Sequence, residues 1–367
     1  MRCENTLAAR CLCSKTMQQN KNESAFFCSL AAQQAGENLV GTAGNYQTYV
    51  LIECPLPWPA IAFDSAYIPP ALRQSVKALG ADKTVRFLCI HRETAEPSDD
   101  ITLLIYEQVH KQLLSHLAGD EGIAQFSNGY CGYEFHLPDL DSVVPFLENY
   151  WQNRAIADDY RQLQGQPITQ QDVLVCTHGM RDKCCARLGK PLFKGAVRMV
   201  EEGALPNTRV WRASHIGGHR FAPTAIVFPE GRYYGRLSLL VLQSIVAREG
   251  EIDQLRSVYR GWSVLPKLSQ LLEAELLFKY GWSWLRQSVA FYPLCIEAEK
   301  KEIVARLSAR SPSGETVIYR ASIVEDGLQT YVGKASCGDL SPSRLVKYAI
   351  ADWGIESNGS NNNVEVA

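Results

Sequence analysis

Apolar residues fall in short, dense runs along this chain, and the period within each run separates strands from helices. TYVLIEC (48–54), VRFLCIH (85–91), ITLLIYE (101–107) and GYEFHLP (132–138) predict strands. PPALRQSVKALG (69–80) predicts a helix that starts after Pro70 and stops at Gly80. A longer helical pattern covers 141–165 and ends in Gly165, and more helical material is expected near 108–118.

The same order recurs over 169–250. QDVLVC is a strand, and CARLGKPLFKGAVRMVEEG places Leu188, Leu192, Ala196, Met199 and Val200 on one helical face. TRVWRAS and the wholly apolar PTAIVF are strands, and Pro229, Glu230 and Gly231 turn the chain into RYYGRL. Ser238 caps a helix over LLVLQSIVARE, which Gly250 ends.

A parallel βαβ unit followed by a hairpin and a helix is thioredoxin topology, here expected twice. Cys54 and Cys176 both end the first strand of their half, and His91 and His215 both end or follow the second. The fold class is therefore α/β: two tandem thioredoxin-like copies with a helical and mixed α/β C-terminal extension. The expected divisions are a polar mobile tail (1–24), a degenerate copy lacking the full ligand set (25–168) and the ligand-bearing copy (169–250). A helical segment (251–290) follows, in which 259–287 reads as helix with a break at Gly281. A small α/β domain (291–355) comes next, with strands in EIVARLSARSP, TVIYRASIVEDG and QTYVGKASCG and a closing helix from Ser343. A disordered tail (356–367) ends the chain.

Composition narrows the class of function. The 367 residues are 46% apolar and 21% charged, as in ordinary globular proteins, and the formal net charge is −2. No Lys/Arg run with interleaved aromatics exists, so no nucleic-acid partner is expected. No stretch of eighteen apolar residues argues for membrane insertion. The N-terminus lacks the apolar core of a secretion signal, because Arg10 and Lys15 interrupt it. Several of the 12 cysteines sit inside apolar strands, where a free thiol packs as a small hydrophobe, and a reducing cytoplasm is the expected compartment.

Scarcer residues carry the chemistry. Cys176 and Cys185 lie in VLVCTHGMRDKCCARLG, and His215 and His219, two of only 7 histidines, lie in RVWRASHIGGHRFAPTAIVFPEG. Each pair sits just downstream of a strand, at the carboxyl edge where loops from distant sequence converge. Two thiolates and two imidazoles suit an iron–sulfur cluster or a zinc ion. Gly179, Gly217 and Gly218 let the backbone wrap closely around a bulky group. His178, Arg181, Cys184 and Arg220 are the candidates for supporting roles: a donor to a ligand, a cation beside cluster charge, or a spare thiol.

CTHGMRDKCC followed by SHIGGHRFAPTAIVFPEGRYYGRL resembles the sucrase/ferredoxin-like family, a branch of the thioredoxin-like [2Fe–2S] ferredoxins. GENLVGTAGNYQTYVLIECPLPW (36–58) and YRGWSVLPKLSQLLEAELL extend the resemblance over roughly residues 25 to 290. It implies that Cys176, Cys185, His215 and His219 bind a [2Fe–2S] cluster, the histidines standing where related ferredoxins use cysteines. Cys184 departs from the motif, in which Arg is expected.

The expected function is electron transfer or redox sensing with an unidentified redox partner protein, more a carrier than a stand-alone enzyme. Replacing thiolates by imidazoles raises the reduction potential, and a retained imidazole N–H invites proton-coupled reduction. Two alternatives use the same residues or fold: a structural zinc scaffold, and a thiol oxidoreductase, the latter weakened by the lack of any Cys-x-x-Cys. A hydrolase would need paired carboxylates, and no such pair stands out.

Overall fold

The computed structural model describes residues 26–81, 83–93, 100–109, 125–153, 165–297 and 302–356. The expected tail at 1–24, all but Glu356 of the expected tail at 356–367, and nearly all of the expected helix at 108–118 fall outside these residues.

A ten-stranded mixed sheet organises residues 48–262. Its first half contains β1 (Thr48–Glu53), β2 (Val85–His91), β3 (Ile101–Gln108) and β4 (Tyr130–Leu137), with helices α2 (Pro70–Leu79) and α3 (Val143–Asn153). A short helix, α1 (Cys28–Gln34), precedes them, and β5 (Gln166–Pro167) edges the sheet. The second half contains β6 (Gln171–Cys176), α4 (Lys190–Glu201), β7 (Thr208–Ala213), β8 (Ala225–Phe228), β9 (Arg232–Tyr234) and α5 (Leu239–Ala247).

Both halves use one wiring. β1 runs parallel to β2 and antiparallel to β3, which pairs with β4; β6 runs parallel to β7 and antiparallel to β8, which pairs with β9. The halves join where the carboxyl ends of β2 and β7 pair antiparallel, Ile90 opposite Ala213 and His91 opposite Arg212. The loops that leave the parallel strands of both halves therefore converge at the middle of the sheet. Central strands read as unbroken apolar runs because both faces are covered. In β1, Tyr49 and Leu51 enter one core while Val50 and Ile52 enter another.

Ser238 caps α5 as expected, its side chain accepting from the Val241 N–H. The helix ends earlier than expected, after Ala247, with Arg248 in the left-handed region at φ 56°. The helix expected over 141–165 is seen as Val143–Asn153, and the described chain resumes before β5.

Two expectations beyond residue 250 are overturned. Residues Tyr259–Trp262 form a strand, β10, antiparallel to β9, instead of opening a helix. At Gly261 φ is 136°, and a Cβ there would meet the Gln270 side chain at 2.3 Å, so the segment is extended around a close approach. The helix, α6, covers only Ser269–Tyr280. The closing helix from Ser343 is also absent among the described residues. β16 (Ser343–Leu345) and β17 (Tyr348–Ile355) lie there instead. β17 completes the ladder of a second sheet made by β11 (Ser288–Phe291), β12 (Cys295–Glu297), β13 (Glu302–Arg310) and β14 (Thr316–Glu325). Its helix-like spacing is overridden because β14 satisfies its backbone while Ile350 and Trp353 still reach the core. β15 (Tyr331–Gly333) pairs with β16.

Candidate metal centre

Cys176 closes β6, buried, with its N–H given to the Thr224 carbonyl. The chain then loops outward and returns in a wide π-type turn, Cys185–Gly189, that leads into α4. Such turns recur at functional sites, because the extra residue re-aims a side chain. Gly189 is compelled by packing, since a Cβ there would lie 2.0 Å from the Cys176 carbonyl oxygen. The return of the loop thus brings Cys185 onto Cys176. The Cys185 thiol donates to Cys176, and this bond outweighs burial to hold Cys176 well below the ordinary thiol range. Cys185 is pushed up correspondingly.

The imidazoles arrive on the loop after β7. Ser214 is pinned to the first half of the sheet, its N–H donating to the Cys89 carbonyl at 2.8 Å and its hydroxyl accepting from the Cys89 N–H at 3.0 Å. His215 is the next residue. One ligating atom each from Cys176, Cys185 and His215 lie within 4.8 Å of one another. Gly217 and Gly218, both at positive φ (85° and 73°), carry the chain round to His219. The ring centroids of His215 and His219 are 5.2 Å apart.

His219 stands outside that tight group of three. Its Nδ1 is 3.2 Å from the Asp182 carboxylate, which leaves Nε2 as the nitrogen free to ligate. A carboxylate on the far nitrogen is the usual way a metal-binding imidazole is oriented and its tautomer fixed. Burial pushes the His219 pKa down, and Asp182 opposes that. Burial alone would raise Asp182, but the N–H groups of Cys184 and Cys337 and the His219 ring outweigh it and hold it low.

Among the supporting candidates, His178 has the clearest place. Its Nε2 lies 2.6 Å from the Pro59 carbonyl and its Nδ1 3.2 Å from the His215 N–H. The acceptor role of Nδ1 fixes the tautomer, and with both ring nitrogens engaged His178 braces the two halves. Arg181 is exposed. Arg220 turns to the buried carboxylate of Glu37, at 2.9 and 3.1 Å. Cys184 points away from its neighbour Cys185 and meets Cys28 and Cys337; hydrogen bonding from Cys28 brings its pKa down to about 6.

Three positioning residues escape a sequence reading. Asp182 orients His219. Arg86 donates to the His215 carbonyl at 2.7 Å. Arg260, buried and lowered to about 10 by that burial, holds the Gly217 carbonyl at 3.1 Å, and its charge interacts with the Cys176 and Cys185 thiols. Asp182 sits inside the loop CTHGMRDKCC, so its place between two cysteines was the available signal. Arg86 and Arg260 carried none.

A family description, sucrase/ferredoxin-like, matches residues 39–261. The chain belongs to the sucrase/ferredoxin-like family. That span holds Cys176, Cys185, His215 and His219, whereas Cys28 and Cys337 lie outside it. Two proteins called "Altered inheritance of mitochondria protein 32" are similar. The one from Meyerozyma guilliermondii is 31% identical over 126 residues, 32% of this chain and 44% of that relative. The one from Clavispora lusitaniae is 35% identical over 104 residues, 27% of this chain and 37% of the relative. The chain thus spans less than half the length of the curated relatives it matches. No solved structure matches. Among the described residues of this family member, no helix is long and apolar enough to cross a membrane, and nine cysteines are free thiols.

Proposed function

We propose that the chain is a ferredoxin-like electron carrier or redox sensor whose [2Fe–2S] cluster is held by Cys176, Cys185, His215 and His219. The observation that carries this reading is the meeting of a proton-sharing thiol pair with an adjacent imidazole pair at one edge of the sheet. A single zinc ion needs four donors around one point. With His219 outside the tight group of Cys176, Cys185 and His215, the four donors do not gather around one point, and a two-iron cluster takes them as two pairs. When bound, the cluster supplies one-electron chemistry at a potential raised by its imidazole ligands.

The chain's own residues prepare the site. Gly189 permits the thiol loop to close, His178 and Arg86 fix the backbone of His215, and Asp182 holds the ring of His219. Proton-coupled reduction belongs to the same reading, with the His219 Nδ1 proton held against Asp182. A cleft of about 820 Å³ beside Gly217 and Gly218 is walled by Lys83, Arg86, Arg260 and Lys267, which suits an acidic redox partner. In fold, the repeated strand order supports two tandem thioredoxin-like copies. The free thiols support a reducing compartment such as the cytoplasm.

The deciding measurement is iron, acid-labile sulfide and visible absorption of anaerobically purified full-length protein. A coloured protein with iron and sulfide in equal amounts is expected. Colourless protein holding zinc at these four residues would leave the structural alternative, and colourless protein with a reversible Cys176–Cys185 disulfide would leave the oxidoreductase.

A further inference from the structure

A second constellation lies beside the first and uses none of its proposed ligands. The sulfurs of Cys28, Cys184 and Cys337 form a nearly equilateral triangle, with edges of 3.5, 3.3 and 3.5 Å. They come from α1, from the thiol loop and from the segment between β15 and β16, so the outermost two are 309 positions apart. The Asp182 carboxylate stands over them, both oxygens 3.8 Å from the Cys28 sulfur, and the four residues offer ligating atoms within 4.8 Å of one another.

We propose that Cys28, Cys184, Cys337 and Asp182 form a structural zinc site. A tetrahedral Zn²⁺ with Zn–S bonds of about 2.3 Å needs sulfur–sulfur edges of about 3.8 Å, so the triangle opens by only about 0.3–0.5 Å to receive the ion. Ordinary packing of three small apolar thiols does not account for their surroundings. The sulfurs accept hydrogen bonds, Cys184 from the Ser29 hydroxyl at 3.2 Å and Cys337 from the Cys28 N–H at 3.3 Å. Such donors stabilise metal-bound thiolates. The carboxylate is itself fixed, accepting from the N–H groups of Cys184 and Cys337 at 2.9 and 3.0 Å and from the Ser336 hydroxyl at 3.1 Å. Three thiolates and a carboxylate around Zn²⁺ leave two net negative charges, and Lys183 and Arg187, both over the Phe27 ring, and Lys334, over Phe26, surround the site with positive charge.

This assignment gives Cys184 a purpose. Cys184 is the middle sulfur in chain order of a site whose other two cysteines lie outside the family-matched residues 39–261. The ion would clip the N-terminal helix and the C-terminal region onto the thiol loop. It would share Asp182 with the His219 ring, so one carboxylate anchors both constellations.

The test is metal analysis of the full-length protein, purified anaerobically from cells supplied with both iron and zinc. About one zinc per chain is expected, with a zinc X-ray absorption signature of three sulfurs and one lighter atom. Cys28→Ser/Cys337→Ser should lose zinc about tenfold or more while keeping iron and sulfide. Cys176→Ser/Cys185→Ser should do the reverse, so failure of the cluster reading leaves this one standing. If the first double variant does not fold, cobalt added to metal-free wild type decides instead, through thiolate charge-transfer bands displaced by zinc. Wild type that takes up neither metal overturns the proposal. So does a two-sulfur, two-nitrogen zinc environment, a disulfide among the three cysteines under reducing conditions, or iron lost with Cys28 and Cys337.

Discussion

The two halves of the large sheet share strand order, direction and pairing, yet among the described residues only one gathers the thiols and imidazoles of the candidate centre. In the second half, Cys176 leaves β6 and meets Cys185 through a loop that a glycine closes. In the first half, the matching Cys54 leaves β1 and meets Cys89, a thiol within the neighbouring strand, deep in an apolar core. The difference lies in the loop after the first strand. Cys54 is succeeded by Pro55, Leu56 and Pro57, and the chain turns to α2 without bringing back a second thiol on a loop. The first half keeps a role at the centre all the same: the Pro59 carbonyl holds the His178 ring, while Arg86 and the Cys89 carbonyl hold the backbone at His215 and Ser214. One wiring serves two tasks, presentation of ligands on one side and bracing on the other.

The largest expected effect comes from exchanging the thiol pairs. Cys176→Ser/Cys185→Ser should abolish iron and sulfide binding. Cys54→Ser/Cys89→Ser should leave both intact and cost about 1–3 kcal/mol of stability, as buried hydroxyls replace a mutually satisfied thiol pair. Iron analysis with denaturant unfolding reads the two outcomes, and equal iron loss from both variants would break the contrast.

Glycine substitutions sharpen it further. Gly189→Ala places a Cβ against the Cys176 carbonyl and should cost about 3 kcal/mol or lose the cluster outright. Gly80→Ala, at the end of α2 with ordinary negative φ and a nearest atom at 3.0 Å, should change the unfolding free energy by about 0.5 kcal/mol or less. Similar losses at both positions would mean that the loop closure at Gly189 has slack.

The sheet was legible because its strands are buried on both faces and so announce themselves as apolar runs. VRFLCIH and QDVLVC match β2 and β6 residue for residue. The region after 250 was not, because YRGW is extended by a close backbone approach at Gly261, and β17 is held by its ladder and not by its own spacing. At the centre, the sequence pointed to the thiols and imidazoles as scarce residues at strand ends. It could not show that His219 leans on Asp182, nor that Cys184 and Cys185, adjacent in the chain, face different constellations. Adjacent residues at the start of a helical turn point about 100° apart, and only the folded loop shows what lies in each direction.

His178 is the joint between the halves, and its removal should have an intermediate effect. His178→Phe keeps an aromatic ring beside Trp58 but loses the bonds to the Pro59 carbonyl and the His215 N–H. Cluster assembly should survive while its loss to a chelator becomes about tenfold faster, the scale on which supporting groups tune metal affinity.

Arg86→Met should have the smallest effect. The guanidinium touches the centre only through the His215 carbonyl, so its loss removes one hydrogen bond and leaves every ligand in place. A single such bond contributes about 1 kcal/mol, equivalent to roughly a fivefold faster release of the cluster. The long apolar Met side chain retains contact with the Tyr46 ring, beside which Arg86 now lies, so packing changes little. Release at the wild-type rate would mean that the His178 joint alone fixes His215. Release as fast as in His178→Phe would mean that the first half braces the histidine loop as a single unit, with no one bond dominating.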